Sequence, residues 1–351
     1  MSIKNSIAET IGNTSLVKVP SLSRLSGSTI LLKCEYQNPG GSIKDRAALQ
    51  MVLDAIDSGQ LKPGMTIVEG TAGNTGIGLA LVAKALGFEM LTVMPKGQTI
   101  EKERMIALHG SKLHLVEPCP FADPNHFYHT ARRLAEENDD YWWANQFENT
   151  SNYKAHYETT GPEIWQQTDG KIDALVSVCG TGGTIAGCSS YLQEQNSDVK
   201  TWLVDPDGSG IYSYLKDGDY KASGSSFTEG IGIMRTVENF RLAKINKAIT
   251  LPDQDLVTIS RSVRDKDGIV LGSSSALNLA GALFVAAQTE RNGQSNSTIV
   301  TFACDGGERS YSKLYNPQFL AEKGIDPNKE TIEQLYQRYL SYPLTQIVNL
   351  K

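Results

Sequence analysis

Short apolar runs of four to six residues alternate with longer helical segments along most of this chain, and no other feature constrains its fold as much. Ser28 to Lys33, Thr66 to Glu69, Glu89 to Met94, Lys112 to Val116, Ala174 to Val178, Thr201 to Val204 and Thr298 to Ala303 read as strands. Ile43 to Ser58, Asn74 to Leu86, Thr99 to Leu108, a segment opening at Thr184, and Ser275 to Thr289 read as helices, with Gly87 and Pro95 as stops. Strands apolar on both faces and separated by helices predict an α/β fold whose parallel-rich sheets are covered on both sides. A chain of 351 residues fits two domains. Residues 205–229 are rich in Gly, Ser and Asp and predict a surface excursion, whereas 329–341 predict an amphipathic helix within a C-terminal extension over 321–351.

Composition removes several classes of function. Lys plus Arg number 33 against 39 Asp plus Glu, a net charge of -6, which opposes a nucleic-acid binder because that normally shows a basic face. No apolar run approaches the ~20 residues of a membrane helix. The N-terminus MSIKNSIAET has no apolar signal-peptide core, so the expected location is cytoplasmic. Five scattered cysteines without a Cys-x-x-Cys pair oppose both a disulfide framework and a zinc ribbon. His126 and His129 share an i,i+3 spacing but have no Cys or carboxylate partner at metal-ligand spacing, so no metal is expected.

Three Gly-rich loops each follow a strand and open a helix: Gly40 to Arg46, Gly70 to Gly76 and Gly180 to Thr184. In open α/β sheets ligands bind beyond the carboxyl ends of the strands, where such loops lie. Helix N-termini favour anions, and glycine lets backbone approach a ligand closely. The anion is not expected to belong to a dinucleotide, since Ile185 breaks the G-x-G-x-x-G fingerprint, and no Walker A loop is present. Lys44 opens a helix, where the dipole disfavours a positive charge, which suits a Schiff-base lysine.

Taken in order, the motifs resemble those of the cysteine synthase and cystathionine β-synthase family, the fold type II pyridoxal-phosphate enzymes. Ile11 to Thr14 is similar to the family's opening motif, Asn38 to Arg46 to its cofactor-lysine motif, and Gly73 to Gly76 to its substrate loop. Gln146 to Asn149 and Thr159 to Glu163 are similar to the next stretch, and Gly180 to Thr184 to its phosphate cup. Gly268-Ile269 with Gly272 to Ser275 resembles the segment facing the pyridine nitrogen, and Gly307 to Arg309 the end of the last strand. The resemblance implies a two-domain, tryptophan synthase β-like fold: a larger domain from 1–44 and 151–320, and a smaller one from 45–150. It implies pyridoxal 5'-phosphate held covalently by Lys44, which later moves the Cα proton. Gly180, Thr181, Gly182, Gly183 and Thr184 would bind the phosphate, Asn74 the ring hydroxyl, and Ser274 would face the ring nitrogen. Thr71, Ala72, Gly73, Thr75 and Gln146 would meet the substrate, with the carboxylate falling to Thr71, Thr75 and Gln146.

The implied reaction is β-replacement: L-cysteine from O-acetylserine and sulfide, through an α-aminoacrylate, in a homodimer. Release of the aminoacrylate instead would make the chain a cysteine desulfhydrase, giving sulfide, pyruvate and ammonia. A non-catalytic anion-binding α/β protein could use the same loops, but an intact Lys44 beside all three argues against it. The sequence departs from the family at Ala72, where Ser is usual, in Gly230 to Arg235, in Ser274-Ser-Ala276, which lacks the usual Gly, and at Cys304-Asp305-Gly306. The tail beyond Tyr311 is longer than a plain synthase needs and is expected to cover a partner subunit.

Overall fold

A computed structural model describes residues 3–98, 100–294 and 296–350. Eleven strands form two sheets: β1 (Leu16–Lys18), β2 (Thr29–Cys34), β3 (Thr66–Gly70), β4 (Glu89–Pro95), β5 (Lys112–Val116), β6 (Tyr141–Trp143), β7 (Ala174–Val178), β8 (Lys200–Pro206), β9 (Lys247–Leu251), β10 (Thr298–Ala303) and β11 (Val348–Asn349). The larger sheet has seven strands in the order β1-β2-β10-β7-β8-β9-β11, and the smaller has four in the order β5-β4-β3-β6. The smaller sheet is parallel throughout. In the larger, only the edge strands β1 and β11 run antiparallel to their neighbours. Short runs such as ALVSV of β7, buried at every position, are the signature of a strand covered on both faces.

The helix Ser273–Arg291 is the largest piece of that cover. Its residues 273–288 are all buried, so it has no solvated face and no amphipathic period. Val204 lies so near Gly281 that a Cβ there would sit 2.3 Å from it, which fixes how closely this helix lies on the sheet. The predicted helix from Thr99 begins outside the described residues and runs over Ile100–Leu108. The excursion at 205–229 contains a short helix, Ile211–Asp217, that the Gly/Ser-rich composition concealed.

The tail carries the amphipathic helix expected over 329–341. Its helix, Ile332–Leu340, opens on a Thr331/Gln334 capping box and buries Leu335, Tyr336 and Tyr339 in this chain's own core. Tyr339 packs edge-on to Phe284 and donates its hydroxyl to Asp255 Oδ2 at 2.7 Å. β11 then pairs with β9 and closes the edge of the larger sheet. The apolar face of the tail helix packs on this chain itself.

Candidate active site

Five segments converge, and each leaves the carboxyl end of a parallel strand. The loop after β2 leads to Lys44, that after β3 to Asn74, that after β6 to Gln146, that after β7 to the Gly180–Thr184 cup, and that after β10 to Arg309. Lys44 is the first residue of the helix Lys44–Asp57, half-buried, with its backbone N–H on Ser42 Oγ at 3.2 Å. Its ammonium makes no hydrogen bond or ion pair among the described residues. Its charge is felt by Cys179 just before the cup, by His156, and by Cys304 and Asp305.

The cup is built around glycines. Gly182 has φ +93, and a Cβ on it would lie 2.5 Å from the Phe240 nitrogen. The backbone N–H groups of Thr181, Gly182, Gly183 and Thr184 find no acceptor among the described residues, at the start of the helix Gly183–Gln195. Thr181 Oγ1 accepts from Asn152 Nδ2 at 2.8 Å, which leaves its proton free to donate. Thr184 Oγ1 lies 3.2 Å from His156 Nε2, and His156 Nδ1 lies 2.9 Å from Thr160 Oγ1. A π-helical turn, His156–Thr160, brings that imidazole in. Burial, with the charges of Arg46 and Lys44, lowers its pKa well below the ordinary value and keeps it neutral. Free N–H groups, two hydroxyls and a helix N-terminus make a cradle that fits a phosphate without a cation in the loop.

On the smaller sheet, Thr75 Oγ1 donates to Gln146 Oε1 at 2.6 Å, and Gln146 Nε2 donates to Glu69 Oε1 at 3.2 Å. Glu69 has no exposed surface and its Oε2 has no partner, and burial pushes its carboxyl up to about 8. Thr71 Oγ1 accepts from Gly73 N at 3.2 Å. Ala72 leans on the apolar cluster of Ile77, Met94 and Ile106. Asn74 Nδ2 donates to Asp305 Oδ2 at 2.8 Å, and its Oδ1 accepts from Arg309. Ser274 is buried beside the Cys304 thiol, which burial pushes up to about 12. The structure thus gathers Lys44, the cup, Asn74 and Ser274 around Cys179, Cys304 and Asp305, and joins Thr75 to Gln146 directly.

Several motifs sit one layer behind. Arg46 donates to both oxygens of Glu35 and both of Glu163 at 2.7–2.8 Å, Lys33 reaches Glu163 at 2.6 Å, and Thr14 and Asn38 also bind Glu35. Burial alone would raise the Glu163 carboxyl, but Arg46 and Lys33 draw it down to about 2. The buried Glu35 and the part-buried Glu163, balanced by two cations, lock the Lys44 helix to β2 and to the helix Gly161–Gln167. The divergent loop at Gly230 is anchored too: Gly232 N donates to Cys179 O at 2.8 Å. Arg235 pairs with Glu148 and lies 5.1–5.2 Å from the ring centroids of Phe121, Tyr128 and Phe147. His126 caps the helix Phe127–Glu136 by accepting from Tyr128 N at 3.3 Å. Asn152, His156 and Glu69 carry no recognisable sequence motif; their roles depend on contacts between distant segments.

The pyridoxal-phosphate dependent enzyme family matches this sequence over residues 7–305. The chain belongs to that family. It is 43% identical over 344 residues to a protein of Emericella nidulans named cysteine synthase 1, covering 97% of this chain and 91% of that one. Among solved structures it is similar to the O-acetyl serine sulfhydrylase isoform 3 of Entamoeba histolytica, with a TM-score of 0.83, 31% identity and 97% of each chain covered. It is also similar to a hydrogen sulfide-producing enzyme of Fusobacterium nucleatum, with a TM-score of 0.77, 31% identity, and 88% of this chain and 99% of that one covered. The cofactor of the family is pyridoxal phosphate, and the cup fits its phosphate.

Proposed function

We propose that this enzyme makes L-cysteine from O-acetylserine and sulfide. The observation that carries the reading is the Lys44 amine, without a hydrogen-bond partner among the described residues, at a helix start that shares the strands' carboxyl ends with a phosphate cup and with a loop whose Asn74 helix start suits a carboxylate. The 43% identity to a cysteine synthase over nearly the whole chain supports the choice of substrates. When bound, pyridoxal phosphate supplies the electron sink for a carbanion at the substrate Cα. Around it, Gly180 to Thr184 would hold the phosphate, Asn74 would donate to the ring oxygen, and Ser274 would face the ring nitrogen. Thr71, Thr75 and Gln146 receive the substrate carboxylate, with Ala72 and Gly73 beside them. Lys44 Nζ, as the neutral amine, takes the Cα proton, acetate leaves Cβ, sulfide adds at Cβ, and Lys44 returns the proton to Cα.

A neutral Ser at the ring nitrogen does not enforce a protonated pyridine, which suits a carbanion discharged quickly by losing a leaving group. The reading also includes two domains that follow the two sheets, 45–150 against 1–44 with 151–320, and a cytoplasmic homodimer. Light scattering on the purified protein checks the dimer.

Lys44→Ala tests the function. The purified variant is expected to lack the visible cofactor band and to make no cysteine from O-acetylserine and sulfide. A variant with full colour and full turnover overturns the assignment. Ala72, which offers no hydroxyl to the substrate, favours a second activity, breakdown of cysteine to sulfide and pyruvate. Assaying cysteine alone beside the synthetic reaction measures it.

A further inference from the structure

Asp305 sits where three segments of the site meet. Its backbone forms an antiparallel bridge with Ser42, two residues before Lys44. Its carbonyl accepts from Gly272 N at 3.2 Å and Ser275 Oγ at 3.1 Å, and its own N–H donates to Ser275 Oγ at 3.2 Å. Its Oδ2 accepts from Asn74 at 2.8 Å. The other carboxylate oxygen is buried without a partner, and a Cβ on Gly272 would lie 1.9 Å from it. Arg309 binds Asn74 Oδ1 with one nitrogen and the Gly40 carbonyl with another. Arg309 and Lys44 face this carboxylate with positive charge and Glu308 with negative, and burial pushes the group up.

An Asn amide has two N–H donors and one acceptor oxygen. In Asn74 the oxygen is taken by Arg309 and one donor by Asp305, so a single N–H remains. The two partners also decide which way round the amide lies. Turned over, it would aim its NH₂ at the Arg309 cation and its oxygen at the Asp305 carboxylate, placing like polarity against like.

We infer that Asp305 is a positioning residue that, with Arg309, locks the Asn74 amide as a pure donor towards the ring oxygen of the cofactor and so favours the ionised form of that oxygen. The inference rests on the functional reading above, in which Asn74 meets that oxygen. A donor stabilises an oxyanion more than a neutral hydroxyl, because the bond to the charged partner is the stronger one.

The test is the absorption spectrum of the holoenzyme, independent of turnover. In Asp305→Ala the ratio of the visible band, from the ionised ring oxygen, to the near-ultraviolet band, from the neutral one, is expected to fall between about twofold and tenfold, the worth of one hydrogen bond. Asp305→Asn keeps an acceptor for Asn74 and is expected to recover most of the wild-type ratio. An unchanged ratio in Asp305→Ala overturns the inference, even if activity drops. A fall as large in Asp305→Asn overturns it too. If Asp305→Ala does not fold, Asp305→Ser, too short to reach Asn74, carries the same expectation. A wild type that binds no pyridoxal phosphate brings down the functional reading and this inference together. A wild type with both bands and a substitution that moves neither brings down this inference alone.

Discussion

The phosphate cup and the substrate loop are both Gly-rich turns from a parallel strand into a helix, yet the cup's glycines and the loop's central Gly73 live in opposite surroundings. A Cβ on Gly180 would meet the Gly230 carbonyl at 2.2 Å, one on Gly182 the Phe240 nitrogen at 2.5 Å, and one on Gly183 the Asn152 side chain at 2.1 Å. A Cβ on Gly73 would meet nothing within 4 Å, and Gly73 has an extended φ of -139. One loop is clamped by neighbouring backbone before any ligand arrives. The other has open space at Gly73 between the crowded Gly70 and Gly76. A cofactor that stays bound through many turnovers suits the first design, and a substrate that enters and leaves suits the second.

The sharpest way to break that contrast is to add the same methyl group to each loop. Gly182→Ala would force a Cβ onto backbone at positive φ, costing about 1–3 kcal/mol from overpacking and about 1–2 kcal/mol from the left-handed conformation. The variant is expected to lose cofactor on dialysis and to melt several degrees lower. Gly73→Ala is expected to keep both colour and melting temperature and to change only KM for the amino acid. Equal loss of cofactor from both variants would refute the contrast.

A milder change keeps the cup's backbone and removes its hydroxyls. Each hydrogen bond from Thr181 or Thr184 to a charged phosphate contributes about 1.5–3 kcal/mol. The Thr181→Ala/Thr184→Ala double variant should therefore bleach on dialysis and regain activity at high added pyridoxal phosphate. A cofactor affinity equal to wild type would place the phosphate elsewhere.

The same contrast explains what could be read from the sequence. Lys44, the cup and the substrate loop were legible because each is a contiguous run whose chemistry follows from its own residues: glycine for close approach, a helix start for anions, an amine for the carbonyl. Strands such as β7 were legible because an unbroken apolar run has few other uses. β9, by contrast, is a five-residue strand that follows the long irregular stretch 218–237 and the short helix Glu238–Arg241, and β6 is three residues of aromatic sequence, so neither carries a period to detect. Arg46 and Glu163 lie in matched motifs, but their neutralisation together with Glu35 depends on residues 11 and 117 positions from Arg46 meeting in space. Asp305 showed only as a departure from the family pattern. Its meaning depends on Asn74, 231 positions away. The tail helix was legible as amphipathic, but periodicity does not say which surface covers the apolar side.

Glu69 sharpens the picture on the substrate side, because it stands behind Gln146 rather than in the open space. Its carboxyl is raised to about 8 by burial and faces Gln146, the Asn145 and Gln146 backbone, and Tyr128. A carboxyl raised in the folded state contributes stability at low pH and loses it as pH rises from the ordinary glutamate range through the folded value. Glu69→Gln keeps the neutral shape and removes the titration. Melting temperatures from about pH 5 to about pH 9 should therefore show a variant that gains on wild type by a few degrees as pH rises. A constant gap would mean that Glu69 does not titrate in the fold.

Ala72 gives the smallest expected effect and the most specific one. Its methyl group leans on Ile77, Met94 and Ile106, so the residue is anchored to the small sheet's apolar side rather than to the ligand. A Ser in its place adds one hydroxyl next to Gly73, at which a Cβ would meet nothing within 4 Å. One more hydrogen bond to the substrate carboxylate contributes about 0.5–1.5 kcal/mol, and more if the partner is charged. Held more firmly, the loop closes over the bound species more completely and gives it longer to meet sulfide before release. Ala72→Ser should therefore raise the ratio of cysteine made from O-acetylserine to pyruvate made from cysteine by several-fold, with the two reactions measured side by side. It should leave the cofactor spectrum unchanged, since the cup is untouched. A ratio that stays fixed, or moves towards pyruvate, removes position 72 from the choice between synthesis and breakdown. That choice would then rest with the Gly230–Arg235 loop, which Arg235 ties to the aromatic rings of Phe121, Tyr128 and Phe147.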